Sequence, residues 1–145
     1  MVAVHLFGAA AILIALTLCL QCAGMAILIH WAKAFLMRGT VRTNPWRSAV
    51  LMIRFTIGMI VLHILNISVW AAFYRWKCFP SWEASLYFSA TSYSTVGYGD
   101  VVLPQAWRLL GPIEGVIGVL MCGMSVSGLF AILVKLLAAE DQSVA

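Results

Sequence analysis

Three apolar runs, each long enough to cross a lipid bilayer, constrain this 145-residue chain more than any other feature. The first extends from Leu6 to about Trp31, the second from about Pro45 to Trp76, and the third from near Trp107 to about Leu137. At about 1.5 Å of rise per residue, some 20 helical residues span a hydrocarbon core of about 30 Å. A chain that is 63% hydrophobic and 10% charged carries too little polar surface to fold in water. In lipid the backbone has no water to bond, so each run must satisfy its own N–H and C=O groups as a helix. The expected fold class is therefore an all-α membrane protein with three transmembrane helices.

Charge and breakers divide the chain. Residues 1–36 form an N-terminal transmembrane helix, and 37–48 form a basic turn carrying Arg38, Arg42 and Arg47 just after Lys33. Gly39 and the Thr43, Asn44, Pro45 sequence interrupt the helix there, with Asn44 as a cap and Pro45 as the first residue of the next helix. Basic turns stay on the cytoplasmic side, which puts the N-terminus outside. The net charge of +4 is small and its residues sit near the ends of apolar runs, so membrane topology accounts for it and a nucleic-acid partner is not expected. A voltage sensor needs arginines at every third position of one helix; the gaps from Lys33 through Arg54 are irregular and contain a glycine and a proline. Trp70, Tyr74 and Trp76 are expected to form an aromatic belt at the outer end of the second helix. The first twenty residues lack a basic leader and run on as one apolar segment, so they are expected to be retained. Few polar residues follow Lys135, and no tethered regulatory domain is expected.

Between the second and third runs lies a stretch of a different kind. Ser81 is placed to cap a helix over 82–93, with Glu83 in its first turn where the positive end of the helix dipole favours an acid. Twelve residues are too few to cross the bilayer, so this helix enters and the chain returns to the side it left. Directly after it comes Thr95, Val96, Gly97, Tyr98, Gly99, Asp100. A dehydrating cation needs oxygens around it, and successive backbone carbonyls can face one axis if ordinary and left-handed dihedrals alternate. Gly97 and Gly99 stand at alternate positions, where a positive φ is free of Cβ clashes. The Thr95 hydroxyl adds a further ring of oxygens at the inner end.

This TVGYGD segment resembles the selectivity filter of potassium channels, and roughly residues 45–138 resemble the simple bacterial channels that place a pore helix and filter between two helices. The resemblance implies a pore domain over 49–145, with an outer helix at about 45–76, pore helix 82–93, filter 95–100 and inner helix at about 107–138. The first helix is an addition to that plan. K+ would bind at Thr95, Val96, Gly97 and Tyr98 as the permeant ligand, with no other cofactor. One chain supplies one filter strand, so a closed ring of carbonyls implies a homotetramer in the bilayer of a cell membrane. The Asp100 end of the filter would face outward and the C-terminus would be cytoplasmic.

The same resemblance assigns supports. Tyr87 and Phe88 match the aromatic pair that buttresses the filter, with the Tyr87 hydroxyl able to donate to Asp100. Thr91 stands where some relatives place a carboxyl partner for the aspartate. Val102 occupies the position at which an aromatic ring binds external quaternary ammonium ions, so block by tetraethylammonium should be weak. Gly118 falls where related inner helices bend, and the glycines of this helix equally suit close packing. Along the inner helix Val119, Cys122, Val126 and Phe130 recur at three or four and define a cavity face, with Phe130 and Val134 as an apolar constriction that gates by dewetting. The competing assignment packs this stripe on the second helix. Glu114 is the one acid within the inner helix; it is expected to bond near a pore helix, and burial would make it a candidate for pH-dependent gating.

Other residues carry less. Cys19 and Cys22 spell CxxC on a continuous helix without further ligands nearby, a packing pattern more than a metal or redox site. His63 and Asn66, one turn apart, are expected to make interhelical hydrogen bonds as a pair. Cys78 stands near the outer mouth, where a free thiol is favoured over an intersubunit cross-link. No nucleophile and base arrangement suggests an enzyme. The alternatives to a potassium channel are a weakly selective cation channel and, from another class, a membrane redox or sensor subunit using Cys19 and Cys22.

Overall fold

The computed structural model describes residues 2–37 and 45–144, with side chains described for 4–36 and 46–138. Helix α1 spans Val2–Met37, α2 Pro45–Lys77, α3 Trp82–Tyr93 and α4 Leu110–Val144, with a short 3-10 turn at Gln105–Trp107. Three helical stretches, Val4–Leu36, Trp46–Lys77 and Gln105–Ala138, are long and apolar enough to cross a membrane. Arg38, Arg42 and the expected Asn44 cap fall outside the described residues. At the edge of that gap, the Arg47 guanidinium lies 5.7 Å from the centre of the Phe35 ring.

α1 and α4 run parallel, and α2 runs antiparallel to both. At one end Ala10 and Leu13 of α1 pack with Trp70 and Tyr74 of α2, Phe88 of α3 and Leu110 of α4. At the other end Met25 and Ala32 meet Leu51, Phe55 and Met59 of α2 and Ile132 and Leu136 of α4. Between them Tyr93, Ile117 and Met121 form a small central cluster. α1 and α2 approach through reciprocal notches, Gly24 receiving the Leu62 side chain and Gly58 the Leu28 side chain. The outward faces carry exposed Phe7, Ile12, Ile27, Ile57, Ile60 and Ile64, the pattern of helices whose solvent is lipid.

The elements correct two expectations. Trp70 and Tyr74 are fully buried and belong to the interior, whereas Trp76 is 74% exposed and is the belt residue. Trp70 and Tyr74, four apart, share the α2 face that meets α1 and α3, and each indole or phenol donor finds a buried acceptor: Trp70 Nε1 donates to Thr17 Oγ1 at 2.9 Å, and Tyr74 donates to Glu114 at 2.8 Å. The last helix starts at Leu110 rather than 107 and runs past 138. Its first turn holds Pro112, where a missing N–H has no intrahelical partner to lose, so the helix needs no kink there.

Candidate functional site

α3 is built to end where it does. Ser81 caps it, its hydroxyl accepting from the Ala84 N–H at 3.2 Å, and Glu83 lies in the first turn. At the other end Ser94 is still near helical dihedrals, and Thr95 then turns to φ 62°. Gly97 and Gly99 follow at φ 50° and 80°, and these three are the positive-φ positions among the described residues. Left-handed backbone therefore recurs at every second residue from 95 to 99. Two hydrogen bonds tuck the segment beneath the helix: the Thr95 N–H donates to the Ser92 carbonyl at 3.0 Å, and the Gly97 N–H to the Thr91 carbonyl at 3.1 Å. Left-handed geometry at the β-branched Thr95 costs about 1–2 kcal/mol, which the sequence does not avoid with a third glycine.

The far end of the segment is tied back to α3. Tyr87 donates to Asp100 Oδ2 at 2.7 Å, and the other carboxylate oxygen accepts from the Val101 N–H at 3.1 Å. The carboxylate partner raises the Tyr87 phenol above its ordinary range. The bond expected between these two side chains is present. Thr91 behaves differently: its hydroxyl is spent on the Tyr87 and Phe88 carbonyls of its own helix, and it reaches the segment through its backbone carbonyl instead. Phe88 is buried, edge-on to the Tyr74 ring at 5.1 Å and tilted on Phe79 at 5.6 Å.

Glu114 is wholly buried and joins three helices. Its carboxylate accepts from Tyr74 of α2 at 2.8 Å and from Ser89 of α3 at 2.5 Å, while the Ser89 hydroxyl also lies 2.9 Å from the Ile67 carbonyl. The bond to a short-helix residue matches expectation; the Tyr74 donor was not foreseen. Gly118 passes so close over the end of α3 that a Cβ there would collide with the Tyr93 carbonyl. Close approach is thus the geometric requirement at that position.

A cleft of about 540 Å³ lies between the glycine segment and the start of α4, lined by Thr95, Gly97, Gly99, Arg108, Val116 and Val119 among others. Below it, Val119, Cys122, Val126, Phe130 and Val134 are all exposed along one side of α4. None of α1, α2 or α3 covers this stripe, so the assignment that packs it on α2 is set aside. Val102 is 56% exposed beyond Asp100. Cys19 and Cys22 are free and exposed on α1, and no cluster of three metal-ligating side chains occurs among the described residues. Cys78 is half-buried against the cluster of Trp70, Tyr74 and Phe88, where burial pushes its thiol up to about 11.

Sequence reasoning missed a polar belt between the two apolar clusters. Thr17, Gln21, Asn66 and Ser125 are buried there, and the interhelical hydrogen bonds expected of His63 and Asn66 are present, to Tyr93, Ser125 and Gln21. The available signal for the rest was Thr17 and Gln21, two polar residues one turn apart in the apolar middle of α1. Residues 48–135, from the first turns of α2 into the last part of α4, match a family model described as an ion channel. The comparisons with curated proteins and with solved structures gave no match.

Proposed function

The chain belongs to the ion channel family that residues 48–135 match, and on that premise we propose that it is a potassium-selective channel whose filter is Thr95, Val96, Gly97, Tyr98 and Gly99. The observation that carries this reading is the recurrence of positive φ at 95, 97 and 99, which lets consecutive carbonyls face one side of the strand. Four chains around an axis would set these carbonyls in rings that replace the hydration shell of K+, with Asp100, Tyr87 and Phe88 bracing the strand from behind.

In such a tetramer the exposed stripe from Val119 to Val134 faces the axis and forms the cavity. Phe130 and Val134 narrow it to an apolar constriction that closes by dewetting. The C-terminal end of α3 points its negative dipole at the cation in the cavity. The N-terminus is placed outside and the C-terminus in the cytoplasm, in a cell membrane, with the basic turn on the cytoplasmic face.

Purified protein in liposomes tests this reading. Potassium flux should exceed sodium flux at least about tenfold and should vanish in Gly97→Ala, because a side chain at φ 50° costs about 1–2 kcal/mol in every subunit. Equal fluxes, or Gly97→Ala flux equal to that of the unaltered protein, would reject it.

A further inference from the structure

The buried polar belt is a connected chain of hydrogen bonds, from Asn66 through Gln21, Ser125 and His63 to Tyr93, that touches all four helices. Gln21 Nε2 of α1 donates to Ser125 Oγ of α4 at 3.0 Å. Ser125 Oγ lies 3.0 Å from His63 Nε2, and His63 Nδ1 lies 3.0 Å from the Tyr93 hydroxyl at the end of α3. Asn66 extends it: its Nδ2 donates to Gln21 Oε1 at 2.9 Å.

Tyr93 is the end of this chain that lies against the filter. It is 3% exposed, packs with Ile117 and Met121, has its carbonyl against Gly118, and stands two residues before Thr95. Its hydroxyl is a side-chain handle by which α1 and α2 reach the inner end of the filter strand. A buried polar network in which each member bonds the next fixes the position of the group at its end.

We propose that Gln21 and His63 are positioning residues for ion selection. They hold Tyr93, and through it Thr95, so the first helix, which lies outside the matched segment, belongs to the selectivity apparatus. This rests on the reading of Thr95–Gly99 as the filter. Gln21→Met and Tyr93→Phe each remove hydrogen-bonding capacity while nearly keeping volume. His63→Leu removes both ring contacts, and His63→Gln restores a donor and an acceptor.

The experiment measures the sodium-to-potassium permeability ratio in liposomes alongside the yield and melting of the assembled protein. Tyr93→Phe, Gln21→Met and His63→Leu should each raise the ratio at least about fivefold in assembled protein, the factor that one lost hydrogen bond represents. His63→Gln should return it toward that of the unaltered protein, and Ser68→Ala, whose hydroxyl bonds only the Ile64 carbonyl of its own helix, should leave it alone. A lower yield or melting temperature with an unchanged ratio would make the network structural and overturn the proposal. If His63→Leu fails to assemble, Gln21→Met and Tyr93→Phe decide. Unaltered protein without potassium selectivity would remove the filter reading itself, an outcome seen before any variant is compared.

Discussion

The Tyr87–Asp100 bond is the residue-scale test of how the filter strand is held. Tyr87→Phe removes a single 2.7 Å bond to a carboxylate and should shorten open-state lifetimes about fivefold in single-channel records; unchanged lifetimes would show that the bond braces nothing. Glu114 is a second residue-scale case. Glu114→Leu strands the Tyr74 hydroxyl in the interior, while Ser89 keeps the Ile67 carbonyl, and should cost about 1–3 kcal/mol in stability per chain, read as a lowered melting temperature of the assembled protein, with Glu114→Gln milder. Recordings of Glu114→Gln across pH test its proposed role in gating, and retention of the pH dependence of the unaltered protein would end that role. Cys78 makes a chemical prediction. With its thiol pushed up to about 11, only about one molecule in a thousand is thiolate at pH 8, so alkylation should be slow and should accelerate about tenfold per pH unit. At this scale the sequence made Asp100 and Tyr87 legible, because spacing from a recognisable motif locates both. It did not disclose the partners of Tyr93 or Gln21, since Tyr93 is one of several hydroxyls on α3 and the partner of a buried amide is set only when the helices dock.

At the scale of elements, spacing and caps defined the helices well. α3 occupies Trp82–Tyr93 as expected because a serine cap, an acid in the first turn and a stop at the glycine segment all act locally. α4 starts at Leu110 rather than near 107, and Pro112 lies in its first turn, where it opens the helix instead of kinking it. Trp70 and Tyr74 were assigned to the membrane interface because aromatic residues near a helix end suit that role. The face on which they lie is instead decided by α1 and α3, which the composition of α2 does not disclose. The α1–α2 contact carries its own prediction. Gly58→Val should lower the melting temperature, by about 1–3 kcal/mol of overpacking against Leu28, while Gly8→Val, which meets open space, should not; equal effects would deny the notch its role.

At the scale of the whole molecule, a single chain leaves its most informative surface uncovered. The stripe from Val119 to Val134 and the exposed Val96 and Tyr98 are apolar groups that only further chains or lipid can meet. Membrane class was legible from three runs of residues. The homotetramer was read from one filter strand per chain; which surfaces meet between copies was not, because that depends on how they complement one another. Val102 gives a test that needs several subunits at once. Block by external tetraethylammonium should be weak, and Val102→Tyr should strengthen it at least about tenfold by bringing aromatic faces around the ion; no change would place residue 102 away from the mouth. The central claim, that Thr95–Gly99 selects potassium, is met most directly by a reversal potential across a bilayer with potassium on one side and sodium on the other. The account predicts a displacement toward the potassium equilibrium potential that corresponds to at least about a tenfold preference for potassium. A reversal potential near zero would contradict it.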